Sequence, residues 1–468
     1  MTEAGLSRWT PSLVRVPHRE LSLWQSAVRE VLAERHAGGD VSSPLLSGHE
    51  HAREADTHAY GLYAAGTAGT RIAPERHPKL EAIIDMARRV HLEDLAAPAE
   101  LLLAAAGTYR NDDPLFVVEC ISRFIQWYGL ARHPQYRDWT REGGGDIDFG
   151  VVEWRLPADA RIGVIGDWGT GMADAGQLLK QLVHECRPTA LLHLGDIYYS
   201  GTPREAACNF SNVVHEALDG LAEEIPVFSV PGNHDYYSGG AGFYGLLDTL
   251  NAGAARQAAS YFCVRSEDDR WQLVGIDTGF NDRIPGLAFD PFYTAPGLHD
   301  HEPEWLADKL GGFAGRTLLF SHHQLFSAHS ALNGPRSGRS RPNFNDDLYG
   351  AVAMHLDRIA LWMWGHEHSL AVYQDGLCGL EKCRLVGCSA FEMGAGDDPY
   401  RVAFDDVPHR KPAVQLSMVD GLYCHGLAVI DLGQASVEYY QGQSWSGAAP
   451  ATTQPLALIH REDLRPGS

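Results

Sequence analysis

The hexapeptide GDWGTG, residues 166–171, follows a short apolar run, Arg161–Ile165 (RIGVI). An acidic residue flanked by glycines at the end of a strand has two readings. Gly and Asp tolerate unusual backbone angles and are common where a strand turns into a loop. Alternatively, Asp167 is the first ligand of a metal site completed elsewhere. The hexapeptide alone does not choose between them.

The strand ends further along the chain bear on that choice. ALLHLG is followed by Asp196, in GDIYYSG. PVFSVPG leads into Asn233, His234 and Asp235, in GNHD. TLLFS leads into His322 and His323, and ALWMWG into His366, Glu367 and His368, in GHEH. Each motif alone has an ordinary structural reading. GD and GNHD occur as turns, and a paired histidine is commonly structural. All five after apolar strands, however, predict a convergent cluster of carboxylates, an amide and imidazoles at strand carboxyl ends, where layered α/β folds gather their sites. Hard divalent or trivalent metals accept that mixture.

The wider texture agrees. WQLVGID and RLVGCSA read as further strands, and AGQLLKQLVHECR and EPEWLADKLGGF as helices between them. Such alternation predicts an α/β or α+β layered domain. Helical periodicity in ELSLWQSAVREVLAERHAGG, in HPKLEAIIDMARRVHLEDLAAPAELLLAAA and in DPLFVVECISRFIQWYGLARH makes residues 1–145 a mainly helical region of unassigned role. TREGGGDID, residues 140–148, reads as a linker, 155–445 as the layered domain and 446–468 as a peripheral tail.

The chain has 468 residues and a net charge of −22, which argues against long nucleic acids and anionic membranes as partners. A small phosphorylated substrate or a phosphoprotein stays open, because bound metals reverse the local field. No secretory signal or membrane-length apolar run is present, and eight scattered cysteines fit a reduced, cytoplasmic protein. The even spacing of Cys378, Cys383 and Cys388 suggests zinc only superficially, since strand-like residues separate them; buried thiols are the expectation.

The ordered set of motifs, over about residues 155–442, resembles the calcineurin-like metallophosphoesterase superfamily. The resemblance implies a four-layer sandwich of two mixed sheets flanked by helices, a dinuclear metal centre and hydrolysis of phosphate esters. GDxG at 166–169, with Gly169 where many members carry histidine, and GDxxY at 195–199 look like the purple acid phosphatase branch. Carried over by motif, Asp167, Asp196, Tyr199 and His368 hold the first metal. Asp196, Asn233, His322 and His366 hold the second, with Asp196 bridging and His323 behind His322. Tyr198 competes for the phenolate role, and the family spacing favours Tyr199. A phenolate ligand suits ferric iron, paired with iron, manganese or zinc.

Two such metals neutralise phosphate oxygens and lower the pKa of bound water. His234 is then the expected proton donor or phosphate clamp. Asp235 either orients it or caps the loop, Glu367 points away from the metals, and His329 lies where the branch often places a substrate-facing histidine. Arg336, Arg339 and Arg341 are phosphate contacts or a solvated loop. The expected activity is a phosphomonoesterase; a phosphodiesterase of small diesters and a non-hydrolytic metal-binding scaffold are the alternatives. Two departures from the branch stand out: no export signal, and helical patterning where the larger members carry a β-sandwich.

Overall fold

A computed structural model describes residues 136–139, 150–284, 290–409, 414–419, 421–444 and 454–464. The helical expectation for the N-terminal region therefore lies outside the described residues, apart from 136–139.

Two six-stranded sheets form the frame. The strands are β1 (Arg161–Ile165), β2 (Ala190–His193), β3 (Val227–Ser229), β4 (Phe262–Arg265), β5 (Trp271–Gly275), β6 (Arg316–Ser321), β7 (Ile359–Trp364), β8 (Leu370–Val372) and β9 (Cys383–Val386). A two-stranded ribbon, β10 (Met418–Val419) and β11 (Leu422–Tyr423), precedes β12 (His425–Asp431), β13 (Ser436–Gly442) and β14 (Ala457–Asp463). The first sheet runs β14-β13-β12-β1-β2-β3 and the second β4-β5-β6-β7-β9-β8. Each has a parallel centre: β1-β2-β3 in the first and β5-β6-β7-β9 in the second. Antiparallel strands complete both, so both sheets are mixed.

The pairing follows from side-chain character. β7, IALWMW, is buried along its whole length. Its Ala360, Leu361 and Met363 join the core between the sheets, while Ile359, Trp362 and Trp364 face the opposite side. A strand covered on both faces needs such a continuous apolar run. Ile162 and Val164 of β1 enter the same central core as Leu318 and Phe320 of β6, which closes the sandwich.

Helices cover the outer faces. α1 (Ala173–Gln181) and α2 (Asn212–Leu218) lay Leu178, Leu179 and Val214 on the first sheet. α3 (Asn233–Tyr236) carries the GNHD motif, and α4 (Ala241–Leu247) follows it. α5 (Glu302–Gly312) and α6 (Asp346–Val352) pack Trp305, Leu306, Leu310, Leu348 and Val352 on the second sheet. The result is the expected four-layer α/β sandwich.

The expected tail needs correcting. Ala457–Asp463 is not peripheral: it is the edge strand of the first sheet, in antiparallel register with β13 from Ser436↔Asp463 to Gln441↔Ala457. Its Glu462 accepts two bonds from the fully buried Arg384 of β9, at 2.6 Å from Nε and 2.5 Å from Nη2, and so ties the two sheets together. Cys383 and Cys388 are buried in different core clusters, and none of the described cysteines forms a disulfide. Among the described residues, no helix is long and apolar enough to cross a membrane.

Candidate metal centre

The carboxyl ends of β1, β2, β3, β6 and β7 converge, and each delivers its predicted motif. Three motif residues hold a positive φ without being glycine: Asp167 (52°), Asp196 (71°) and His366 (70°). Such angles are unfavourable for these residues and cluster at functional sites. Here the strained turn aims a donor, so Asp167 is both turn residue and part of the cluster.

Each buried carboxylate divides its two oxygens. Asp167 Oδ2 accepts the backbone N–H of His366 at 2.8 Å, leaving Oδ1 to accept the Tyr198 hydroxyl at 2.8 Å. Asp196 Oδ1 accepts the His234 N–H at 3.1 Å, leaving Oδ2 3.5 Å from His322 Nε2 and 4.0 Å from His234 Nε2. Burial works against the Asp196 charge, but the facing His322 and His234 bring its pKa below the ordinary value.

The first donor set is Asp167, Asp196, Tyr198 and His368. His368 Nε2 lies 3.4 Å from Asp167 Oδ1 and 3.0 Å from the Tyr198 hydroxyl. Its ring stacks on Phe391, with centroids 3.9 Å apart. Burial first, then the Asp167 and Asp196 charges, hold the Tyr198 phenol well above its ordinary pKa. A cation among these groups inverts that preference.

This corrects the choice of tyrosine. The phenol that meets Asp167 and His368 belongs to Tyr198, not Tyr199. The main chain of Tyr199 is used instead: its N–H donates to Glu205 at 2.5 Å, and its carbonyl accepts His234 Nδ1–H at 2.6 Å. Motif spacing favours Tyr199, but the loop conformation decides which of the two rings turns inward.

The second donor set is Asp196, Asn233, His322 and His366. His322 Nδ1–H donates to the Leu194 carbonyl at 2.8 Å, which leaves a lone pair on Nε2. That nitrogen lies 3.2 Å from Asn233 Oδ1 and 3.1 Å from His366 Nδ1. An imidazole lone pair, an amide oxygen and a carboxylate oxygen this close repel one another unless a proton or a cation lies between them. Burial, reinforced for His366 by the neighbouring imidazoles, lowers the pKa of both His322 and His366, so protonation is the disfavoured solution. The donors therefore fit a metal ion. Donor atoms of Asp167, Asp196 and His322 all lie within 4.8 Å of one another, as do those of His322, His323 and His366.

His323 nonetheless has both ring nitrogens engaged elsewhere, with Thr278 Oγ1 at 3.0 Å and Asp282 Oδ2 at 3.2 Å. It braces the cluster from behind. Asp235 also works through the backbone: Oδ2 accepts the N–H of Gly232 at 2.7 Å and of Asp196 at 2.9 Å. Of its two expected roles, the loop clamp is the one these bonds describe. His234, held through Nδ1 by Tyr199, turns Nε2 toward Asp196. His366 and His368 are half-buried and His234 is 9% exposed, so the cluster meets solvent on its imidazole face.

His329 stands one layer out, with Nδ1 3.4 Å from the Arg401 carbonyl. Its loop is fastened by Ser327, which accepts the N–H of His329 and donates to Glu367. Glu367 accordingly points away from both donor sets, and burial pushes its carboxyl up to about 7. Arg339 and Arg341 pair with Asp347 and Asp346, both at 2.6 Å, and Arg336 is exposed; these contacts describe a solvated loop. Gly169 is required sterically: a Cβ there would lie 2.7 Å from the Asp196 carbonyl oxygen.

With this geometry in place, the family comparison is decisive. Residues 160–370 match the family model described as calcineurin-like phosphoesterase, a span holding every donor of both sets. These residues belong to the calcineurin-like phosphoesterase family. The chain is therefore a metal-dependent phosphoesterase, a hydrolase of phosphate esters.

Solved structures with a similar course include GAP50, the anchor in the inner membrane complex of Plasmodium: 12% identity over 64% of this chain and 89% of that one, TM-score 0.39. The purple acid phosphatase PPD1 from yellow lupin (Lupinus luteus) seeds is 11% identical over 65% of this chain and 55% of that one, TM-score 0.39. Phosphopantetheinyl hydrolase from Mycobacterium tuberculosis is 14% identical over 56% of this chain and 100% of that one, TM-score 0.28. Comparison with curated proteins gave no match.

Proposed function

We propose that this phosphoesterase is a dinuclear phosphomonoesterase resembling the purple acid phosphatases, acting on a small phosphorylated compound or a phosphoprotein. Asp167, Asp196, Tyr198 and His368 would hold one metal, and Asp196, Asn233, His322 and His366 the other. The supporting observation is the pair of donor sets that meet at Asp196, one of them containing a buried phenol. Iron in the phenol-containing set, with iron, manganese or zinc in the other, suits these donors. The free thiols of the described cysteines, most of them buried, suit a reducing, cytoplasmic setting.

Two cations there would neutralise the phosphate oxygens and lower the pKa of a bound water. The chain's own residues do the rest. Asp196 keeps Oδ2 available to both sets because the His234 N–H occupies Oδ1. The Tyr199 carbonyl holds the proton of His234 Nδ1, so an added proton goes to Nε2 on the cluster side. From there it can clamp a phosphate oxygen or pass to the departing alkoxide.

The test is turnover of p-nitrophenyl phosphate against bis-p-nitrophenyl phosphate by protein loaded with iron, manganese or zinc. Faster monoester hydrolysis is expected. Preference for the diester makes the chain a phosphodiesterase, and failure on both favours a metal-binding scaffold. A visible absorption band in the iron-loaded protein, from phenolate-to-iron charge transfer, checks the tyrosine assignment.

A further inference from the structure

Asn233 poses a problem that the ligand set does not solve. Its amide has one oxygen and one NH2 group, nearly equal in shape, and only the oxygen can bind a cation. In the metal-free protein the reversed amide is attractive: its NH2 would face the lone pair of His322 Nε2, where Oδ1 now stands at 3.2 Å. Something must hold the amide against that reversal.

We infer that Tyr237, the second residue after GNHD, is the positioning residue that keeps the oxygen of Asn233 turned toward the second metal. This inference rests on the dinuclear reading above. Asn233 and Tyr237 are four residues apart across α3, so their side chains share one face. Asn233 Nδ2 donates to the Tyr237 hydroxyl at 2.6 Å. Both residues are buried, at 5% and 8% exposure, so with the oxygen on the metal side the NH2 has little access to water and relies on the Tyr237 oxygen.

Tyr237 is itself placed by packing, with its ring 4.7 Å from that of His234. The preceding residue, Tyr236, points elsewhere: its hydroxyl bonds Asp277 Oδ2 at 2.6 Å. The two tyrosines thus anchor the helix in different directions, and only Tyr237 touches the amide. Partners behind metal ligands typically account for about 10–100-fold in metal affinity.

The experiment compares Tyr237→Phe in two backgrounds, wild type and Asn233→Asp. A carboxylate presents oxygen in either orientation, so the Asn233→Asp variant has no reversal to resist. The full chain is stripped of metal and titrated with Zn2+, and bound metal per chain is read by mass spectrometry. In the Asn233 background, Tyr237→Phe should weaken the second site about 10–100-fold. In the Asn233→Asp background it should change affinity by no more than about twofold.

An equal loss in both backgrounds would make Tyr237 a packing residue and overturn the inference, as would unchanged affinity in the first. If wild type binds only one Zn2+ per chain, the dinuclear reading fails and this inference fails with it.

Discussion

Gly232 precedes Asn233, and a methyl group added there has a calculable consequence. Its φ of −96° and ψ of −175° are open to any residue, so Gly232→Ala costs nothing in backbone strain. The added Cβ would lie 2.0 Å from Asp196 Oδ1 and 2.7 Å from His322 Cε1. Ordinary contact begins near 3.4 Å, so the carboxylate oxygen must retreat by about 1.4 Å. That oxygen also accepts the His234 N–H. Metal-ligand distances tolerate only about ±0.2 Å, and a misplacement of about 1 Å can cost about 100-fold in rate. Gly232→Ala should therefore lower kcat/KM at least about 100-fold, or about 2.7 kcal/mol, and leave at most one metal per chain. Turnover of p-nitrophenyl phosphate and metal analysis read both, with far-ultraviolet circular dichroism reporting the fold. Gly245 is the control, because a Cβ there meets nothing within 4 Å among the described residues, on the exposed side of α4. Gly245→Ala should keep both metals and full activity, with stability unchanged or raised by up to about 1 kcal/mol. Two bound metals and near-wild-type turnover in Gly232→Ala would refute the claim that Asp196 and His322 must sit where they do.

Three further outcomes are expected. His234→Ala should lower kcat about 100- to 10,000-fold with metal content unchanged; losing metal as well would make His234 a structural support of Asp196. Tyr198→Phe should abolish the visible band of the iron-loaded protein and Tyr199→Phe should preserve it, whereas the opposite result restores the spacing-based choice. Glu462→Gln should destabilise the fold by about 2 kcal/mol, since it neutralises one of the two carboxylates, Glu462 and Asp375, that the buried Arg384 holds. Burial opposes the Glu462 charge, but Arg384 and Tyr439 hold its pKa below the usual 4.5. That stabilisation is present above the unfolded pKa and fades as pH falls through the lower folded value. The gap in melting temperature between wild type and variant should therefore narrow below about pH 4.5; a gap that is constant with pH would contradict it.

The parallel centre of each sheet was legible because RIGVI, ALLH, RTLLFS and IALWMW are continuous apolar runs that end in chemically distinctive motifs. The meeting of these motifs at one place was legible for the same reason, whereas the structure turns the Tyr198 ring inward where motif spacing favours Tyr199. β14 was not legible: its residues are mostly exposed or half-buried, so no alternation marks them, and pairing with β13 makes the strand. The supports of the site were hidden too. Thr278 and Asp282 reach His323 from 45 and 41 residues away in sequence. Tyr237 alone left a local trace, as the fourth residue after Asn233.

Residues 136–139 give the catalytic region an earlier starting point than its first strand. Arg137 forms a two-pronged pair with Asp248 at 2.7 and 2.9 Å. Trp139 Nε1 donates to the Tyr261 carbonyl at 2.9 Å, and the Tyr136 hydroxyl donates to the buried Glu302 at 3.3 Å. Glu302 accepts the N–H of Asp277, whose side chain receives the Tyr236 hydroxyl from the helix bearing Asn233 and His234. A fragment cut at the glycine-rich stretch 143–145, where composition invites the cut, would discard a fastening that runs through four hydrogen-bonded residues to the helix bearing Asn233 and His234. Anyone dividing this protein for expression should begin before Tyr136.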